Sequence, residues 1–221
     1  MPKTHNPLPD GFDKDRQALE KTMRNAEEYA KFHLEQIGMC PAALFISREH
    51  GQTIFKPHDI GTKDSNDRVA RVGRLMCIAH NADACVFISE AWFVEPAQGR
   101  TLDSNISPSQ SPDRQLAVAL IGETRKEQVH RVLPICRFEN GRFKGLGAAR
   151  KEQSADLTGW HTEFMPRQVP TQMERARARG ILDSVENVKS LKGENLQGLL
   201  HTMHEEDCYR CREQRKGRMM S

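Results

Sequence analysis

Ala84-Cys85-Val86-Phe87-Ile88-Ser89-Glu90-Ala91 is the stretch on which the fold turns. It is nearly continuous in apolar residues, so a strand with both faces buried is expected. Helical patterns lie upstream of it. Val69, Val72, Met76 and Ala79 define one face of a helix over residues 66–81, widened by Leu75 and Ile78. Leu19, Met23, Ala26, Ala30, Leu34 and Ile37 recur at steps of three and four and predict a helix over residues 13–37. Gly38 suits its C-terminal stop, with Pro41 shortly beyond. Between the two helices, residues 42–47 and the run Thr53-Ile54-Phe55 read as two strands joined by a turn at residues 48–52. Residues 57–66 hold Pro57, Gly61, Asp64 and Ser65, a loop ending in a helix cap.

Downstream, residues 95–113 carry Pro96, Gly99, Pro108 and Pro112. A loop of that length is uncommon unless it is functional or disordered. Residues 116–122 form another strand. Residues 129–138 and 142–146 flank Asn140-Gly141, a favoured two-residue hairpin turn. The fold class is therefore α+β. The order is helix, two strands, helix, then a meander of three to four strands, giving a mostly antiparallel sheet flanked by helices. This order resembles the roadblock, longin and profilin-like group of folds, through element order alone. Fold does not give function in any case.

The pattern changes after Gly147. Residues 157–170 hold two prolines and no clear period. Residues 171–188 and 195–211 read as polar helices interrupted by Gly180 and Gly193. The expected division is a disordered lead-in (1–12), an α+β domain (13–149) and a polar helical extension (150–221) with too few apolar residues for a core of its own. Residues 82–92, followed by Pro108-Ser109 and Pro112-Asp113-Arg114, resemble a group of uncharacterised bacterial and phage proteins. That resemblance covers residues 70–125 and implies no activity.

Hydrophobic residues make up 37% and charged residues 29% of the 221 residues, with a formal net charge of +3. That charge is too mild to argue for nucleic acid by itself. One basic cluster stands out: Arg210, Arg212, Arg215, Lys216 and Arg218, opposed only by Glu213. A solvated terminal tail is the plain reading, and contact with nucleic acid or an acidic protein is the sharper one. No apolar stretch approaches the ~20 residues of a membrane span. The first residues lack the apolar core of a secretory signal. Cys40, Cys77, Cys85 and Cys136 sit in apolar settings. A cytoplasmic protein with reduced thiols, of bacterial or phage type, is expected.

Three constellations could carry chemistry. Glu90 with Trp92 ends the buried strand, and Asp113 with Arg114 opens the next one. If those strands pair antiparallel, Glu90 and Arg114 could meet. The plain reading is an ion pair closing the long loop, and the sharper one is a binding pocket beneath it. The second is His201, His204, Cys208 and Cys211, a residue set able to hold zinc tetrahedrally. Offsets of three, seven and ten put all four on one side of a helix. A continuous helix, however, spreads the end ligands about 15 Å apart, so a single zinc site needs a break or other ligands. The third is His161-Thr162-Glu163 with Cys208-x-x-Cys211, which imitates the zinc deaminase pattern. Asp207 stands where that pattern has proline, and a polar helix stands where it needs a buried strand. No phosphate-cradling glycine loop or G-x-S-x-G elbow is present. The leading expectation is a non-enzymatic binding or regulatory protein that contacts protein or nucleic acid through its basic helical extension. The rivals are a zinc-dependent hydrolase or deaminase and a homo-oligomeric structural protein.

Overall fold

The computed structural model describes residues 10–49, 51–57, 60, 62–94, 108–149, 163–187 and 200–203. Three helices and seven strands are assigned there: α1 (Asp10–Ile37), β1 (Ala43–Arg48), β2 (Gly51–Phe55), α2 (Lys63–His80), β3 (Ala84–Val94), β4 (Arg114–Glu123), β5 (Gln128–Arg137), β6 (Phe143–Leu146), α3 (Gln172–Asn187) and β7 (Leu200–Met203). The strands form one sheet in the order β6-β5-β4-β3-β1-β2-β7. Every neighbouring pair is antiparallel. The α+β class is as expected, and the helices cover both faces of the sheet.

The run at residues 84–89 is central and fully buried. Its alternation sorts the core into two layers. Ala84, Val86 and Ile88 pack with Leu19, Met23, Ala26, Ala30 and Leu34 of α1. Cys85 and Phe87 point the other way, toward Val69, Met76 and Cys77 of α2. Period two in the strand and period 3.6 in the helices thus meet at both surfaces. Ile37 is 59% exposed, so the stripe of α1 ends one turn before the helix does. Gly38 then takes a left-handed φ of 76° and its N–H reaches Leu34 O, a glycine stop. α1 begins at Asp10, inside the expected lead-in. α2 begins earlier than its stripe implied. Thr62 caps it, and Ser65 returns the bond to the Thr62 N–H.

Two expectations for the C-terminal part need correction. Residues 163–187 are not an appendage. Phe164, Met165 and Ala178 are buried, and Phe164, Met165 and Leu182 pack in the α2 layer. Few apolar residues suffice because they complete an existing layer and need not build a separate core. The lead-in to α3 is held by Glu123, at the end of β4. Glu123 Oε2 accepts the backbone N–H groups of Phe164 (2.9 Å) and Met165 (3.0 Å), and Oε1 accepts from Gln128 Nε2 (3.1 Å). Glu123 is only 4% exposed, and burial pushes its carboxyl pKa up. The helix expected over residues 195–211 is a strand at Leu200–Met203, where the backbone pairs with the edge of β2. Edge pairing satisfies backbone groups that β2 would otherwise leave open.

Candidate functional site

Glu90 and Arg114 do not form the expected pair. β3 and β4 align so that Arg114 faces Val94 and Glu90 faces Val118. The two residues sit four positions apart along the strands, about 13 Å at strand rise. Glu90 Oε1 instead accepts the backbone N–H of Cys40 at 2.7 Å, just past the end of α1. Burial first, and the Glu90 charge second, push the Cys40 thiol up to about 12, which makes it a poor nucleophile. Trp92 and Arg114 are brought together. The guanidinium lies over the indole, 5.1 Å from its centroid, and Arg114 Nη1 donates to Ser109 O at 2.8 Å. Asp113 stays beside them, its N–H on Ser111 Oγ.

A second surface was missed by the sequence reading. On α2, Arg68, Arg71 and Arg74 recur every three residues and are exposed. α3 packs beside α2 and brings Arg175, Arg177 and Arg179, with Arg167 just before it. Arg74 Nη1 donates to Glu163 O, and Arg179 Nε donates to Ala79 O. The first bond ties α2 to the segment ahead of α3 and the second ties α3 to α2, all on one arginine-rich side of the sheet. Over residues 65–80 and 163–183, seven arginines stand against the four carboxylates of Asp67, Glu163, Glu174 and Asp183. Two of those four are already engaged: Glu163 pairs with Arg167 at 2.9 Å, and Glu174 accepts from Thr171 at the start of α3. α1, on the opposite face, is balanced over residues 14–37, with five cations against five carboxylates. The charge asymmetry is therefore between the two faces, where the net charge of +3 hides it.

Cations also gather at the C-terminal end of α2. Arg48 Nη1 donates to His80 Nδ1 at 3.4 Å. Burial first, then Arg48 and Arg179, hold the His80 pKa below its usual value. His33 is lowered as well, by burial and by Lys56. A histidine depressed in the fold contributes stability that is present above its unfolded pKa and lost as pH falls through the folded one. Urea midpoints are therefore expected to fall on acidification from about pH 7.5 to about pH 5.5, across the unfolded histidine pKa. His80→Gln should flatten that slope. Glu123 and Asp83, both raised chiefly by burial, act in the opposite sense at lower pH, near the carboxylate range.

Of the zinc candidates, His201 falls in β7, and a strand there removes the helical face that aligned it with the others. His204, Cys208, Cys211 and His161 lie outside the described residues, as do Arg210, Arg212, Arg215 and Lys216. Glu163 of the deaminase-like pattern is exposed and tied to Arg167. Among the described residues no group of three or more His, Cys, Asp or Glu side chains is placed to hold a metal. Among them, too, no helix is long and apolar enough to cross a membrane.

The chain matches no protein-family model, no curated protein and no solved structure. The fold and surface themselves define a class: a sheet covered by helices on both sides, with a balanced α1 face and a basic α2–α3 face.

Proposed function

We propose that this chain is a non-enzymatic binding protein for nucleic acid, with the α2–α3 arginine face as its main contact surface. The basic cluster of Arg210, Arg212, Arg215 and Lys216 adds four further cations to the sequence. The observation that carries the reading is the excess of arginine over carboxylate on one face beside a balanced opposite face. Arginine is the side chain best suited to phosphate, because its planar fork donates two bonds at once. Contacts of this kind displace condensed counterions, so affinity falls with salt. The test is fluorescence anisotropy with a labelled oligonucleotide over a salt series. A log–log slope of about −3 to −5 is expected, for roughly four to six phosphate contacts. A slope near zero, or no binding at low salt, would remove the proposal.

One observation favours a second reading, in which the same surface binds protein or another copy of the chain. Val169 and Met173 are 67% and 79% exposed. Exposed apolar side chains beside arginines are a common interface composition. Sedimentation would separate the readings. Dimers that disappear in Met173→Glu would favour pairing, and one chain per particle at all concentrations would remove self-association.

A further inference from the structure

The Trp92–Arg114 stack is not used by the arginine face. Trp92 sits on the even-numbered side of β3, with Val86 and Ile88 of the α1 layer. Strand register makes Arg114 its diagonal neighbour, because Trp92 faces Leu116 and Arg114 faces Val94. Two restraints fix the guanidinium: the indole beneath it and the Ser109 carbonyl at its Nη1. Among the described residues no ion pair involves Arg114. The nearest carboxylate on the same side of β3, Glu90, is bound to the Cys40 N–H. The result is a positioned guanidinium beside an indole that is 45% exposed.

Such a pair fits a ligand that combines negative charge with a flat π surface. A nucleotide has both: phosphate for the guanidinium and a base for the indole. Bases inside a duplex are stacked on each other and cannot lie on a side chain, whereas those of a single strand can. We infer that Trp92 and Arg114 form a base-stacking contact for single-stranded nucleic acid. This rests on the nucleic-acid reading above, but the contact lies on the other face of the sheet and can be scored separately. An acidic protein segment is the alternative occupant.

The experiment uses the full chain carrying Trp160→Phe, which leaves Trp92 as the sole tryptophan of the two in the sequence. It is titrated with oligothymidine of about twelve nucleotides, within the span that a single-strand-binding module covers. A duplex of equal length and poly-glutamate are titrated in parallel. Anisotropy of a labelled strand reports binding, and Trp92 emission reports stacking. The inference expects strong quenching by the single strand and none by the duplex. It also expects the preference for single strand over duplex to fall about tenfold in Trp92→Ala and in Arg114→Ala. Single-strand binding without quenching, or an unchanged preference in both variants, would overturn it and leave the arginine-face reading standing. Quenching by poly-glutamate instead of oligothymidine would reassign the contact to an acidic protein. Failure of both nucleic acids to bind would remove this inference and the function beneath it.

Discussion

Replacing Glu123 with alanine is expected to destabilise the fold by about 3 kcal/mol, and to do so by releasing α3. The carboxylate is the acceptor for two backbone N–H groups, Phe164 and Met165, in a buried setting. A buried donor left without a partner costs about 1–3 kcal/mol, so two of them dominate the change. Removing a carboxylate from low dielectric offsets part of that loss, because burial already disfavours its charge. The chain can regain the two bonds to water only by lifting residues 163–165 off the sheet. That exposes the Phe164 pocket and unseats α3. Urea denaturation reads the stability, and proteolysis between β6 and α3 reads the release. Glu123→Gln is the control. Its amide oxygen can take the place of Oε2 and accept both N–H groups, so the loss should stay below about 1 kcal/mol if Gln128 turns its own amide to match. Equal losses in the two variants would contradict the latch.

Phe164→Ala is expected to cost about 3–5 kcal/mol, the range for emptying a large aromatic site in a core. The ring is fully buried and lies 5.7 Å from that of Phe87, centroid to centroid. It also fills the space left by a missing side chain. A Cβ placed on Gly73 would come within 2.6 Å of the Phe164 ring and 2.7 Å of Leu44. Gly73 is thus small so that Phe164 can press against α2. The variant leaves a cavity bounded by α2, β1 and β3, which close packing elsewhere prevents from collapsing fully. Thermal denaturation is the measurement, and a loss under about 1 kcal/mol would mean that residues 163–165 are dispensable to the core. Gly73→Ala combined with Phe164→Ala should recover part of the loss, since the added methyl enters vacated space.

What could be read from the sequence follows the range of the forces involved. The central strand and the stripes of α1 and α2 were legible, because an apolar period is a local signal. A hairpin at Asn140-Gly141 was legible too, but not its type: the Gly141 N–H reaches Phe138 O and Gly141 alone takes a left-handed φ, of 77°, so the loop is three residues long instead of the expected two. The pairing of β3 with β4 was anticipated in direction but not in register. β3 runs on to Val94 and β4 starts at Arg114, so the ends that were expected to meet lie farther along. Arg114 consequently finds Trp92 and leaves Glu90 alone. The role of residues 163–165 had no local signature. Phe164 and Met165 are two apolar residues beside Pro166, and what buries them is a carboxylate 41 residues earlier in the chain. Arg68, Arg71 and Arg74 recur every three residues in the sequence, a local signal that went unused. Their union with the α3 arginines had no such signal, because the packing of one helix on another depends on the whole core.

The claim that the α2–α3 face binds nucleic acid is tested most directly by reversing its charge. Arg71→Glu with Arg177→Glu changes two exposed positions, and Arg16→Glu with Arg24→Glu makes the same change on the α1 face. Both proteins are compared with the unmodified chain by oligonucleotide anisotropy over a salt series, after circular dichroism confirms the fold. The account predicts at least a tenfold loss of affinity and a salt slope smaller by about 2 for the α2–α3 variant, with little change for the α1 variant. Equal binding by all three proteins, or equal losses in the two variants, would contradict it.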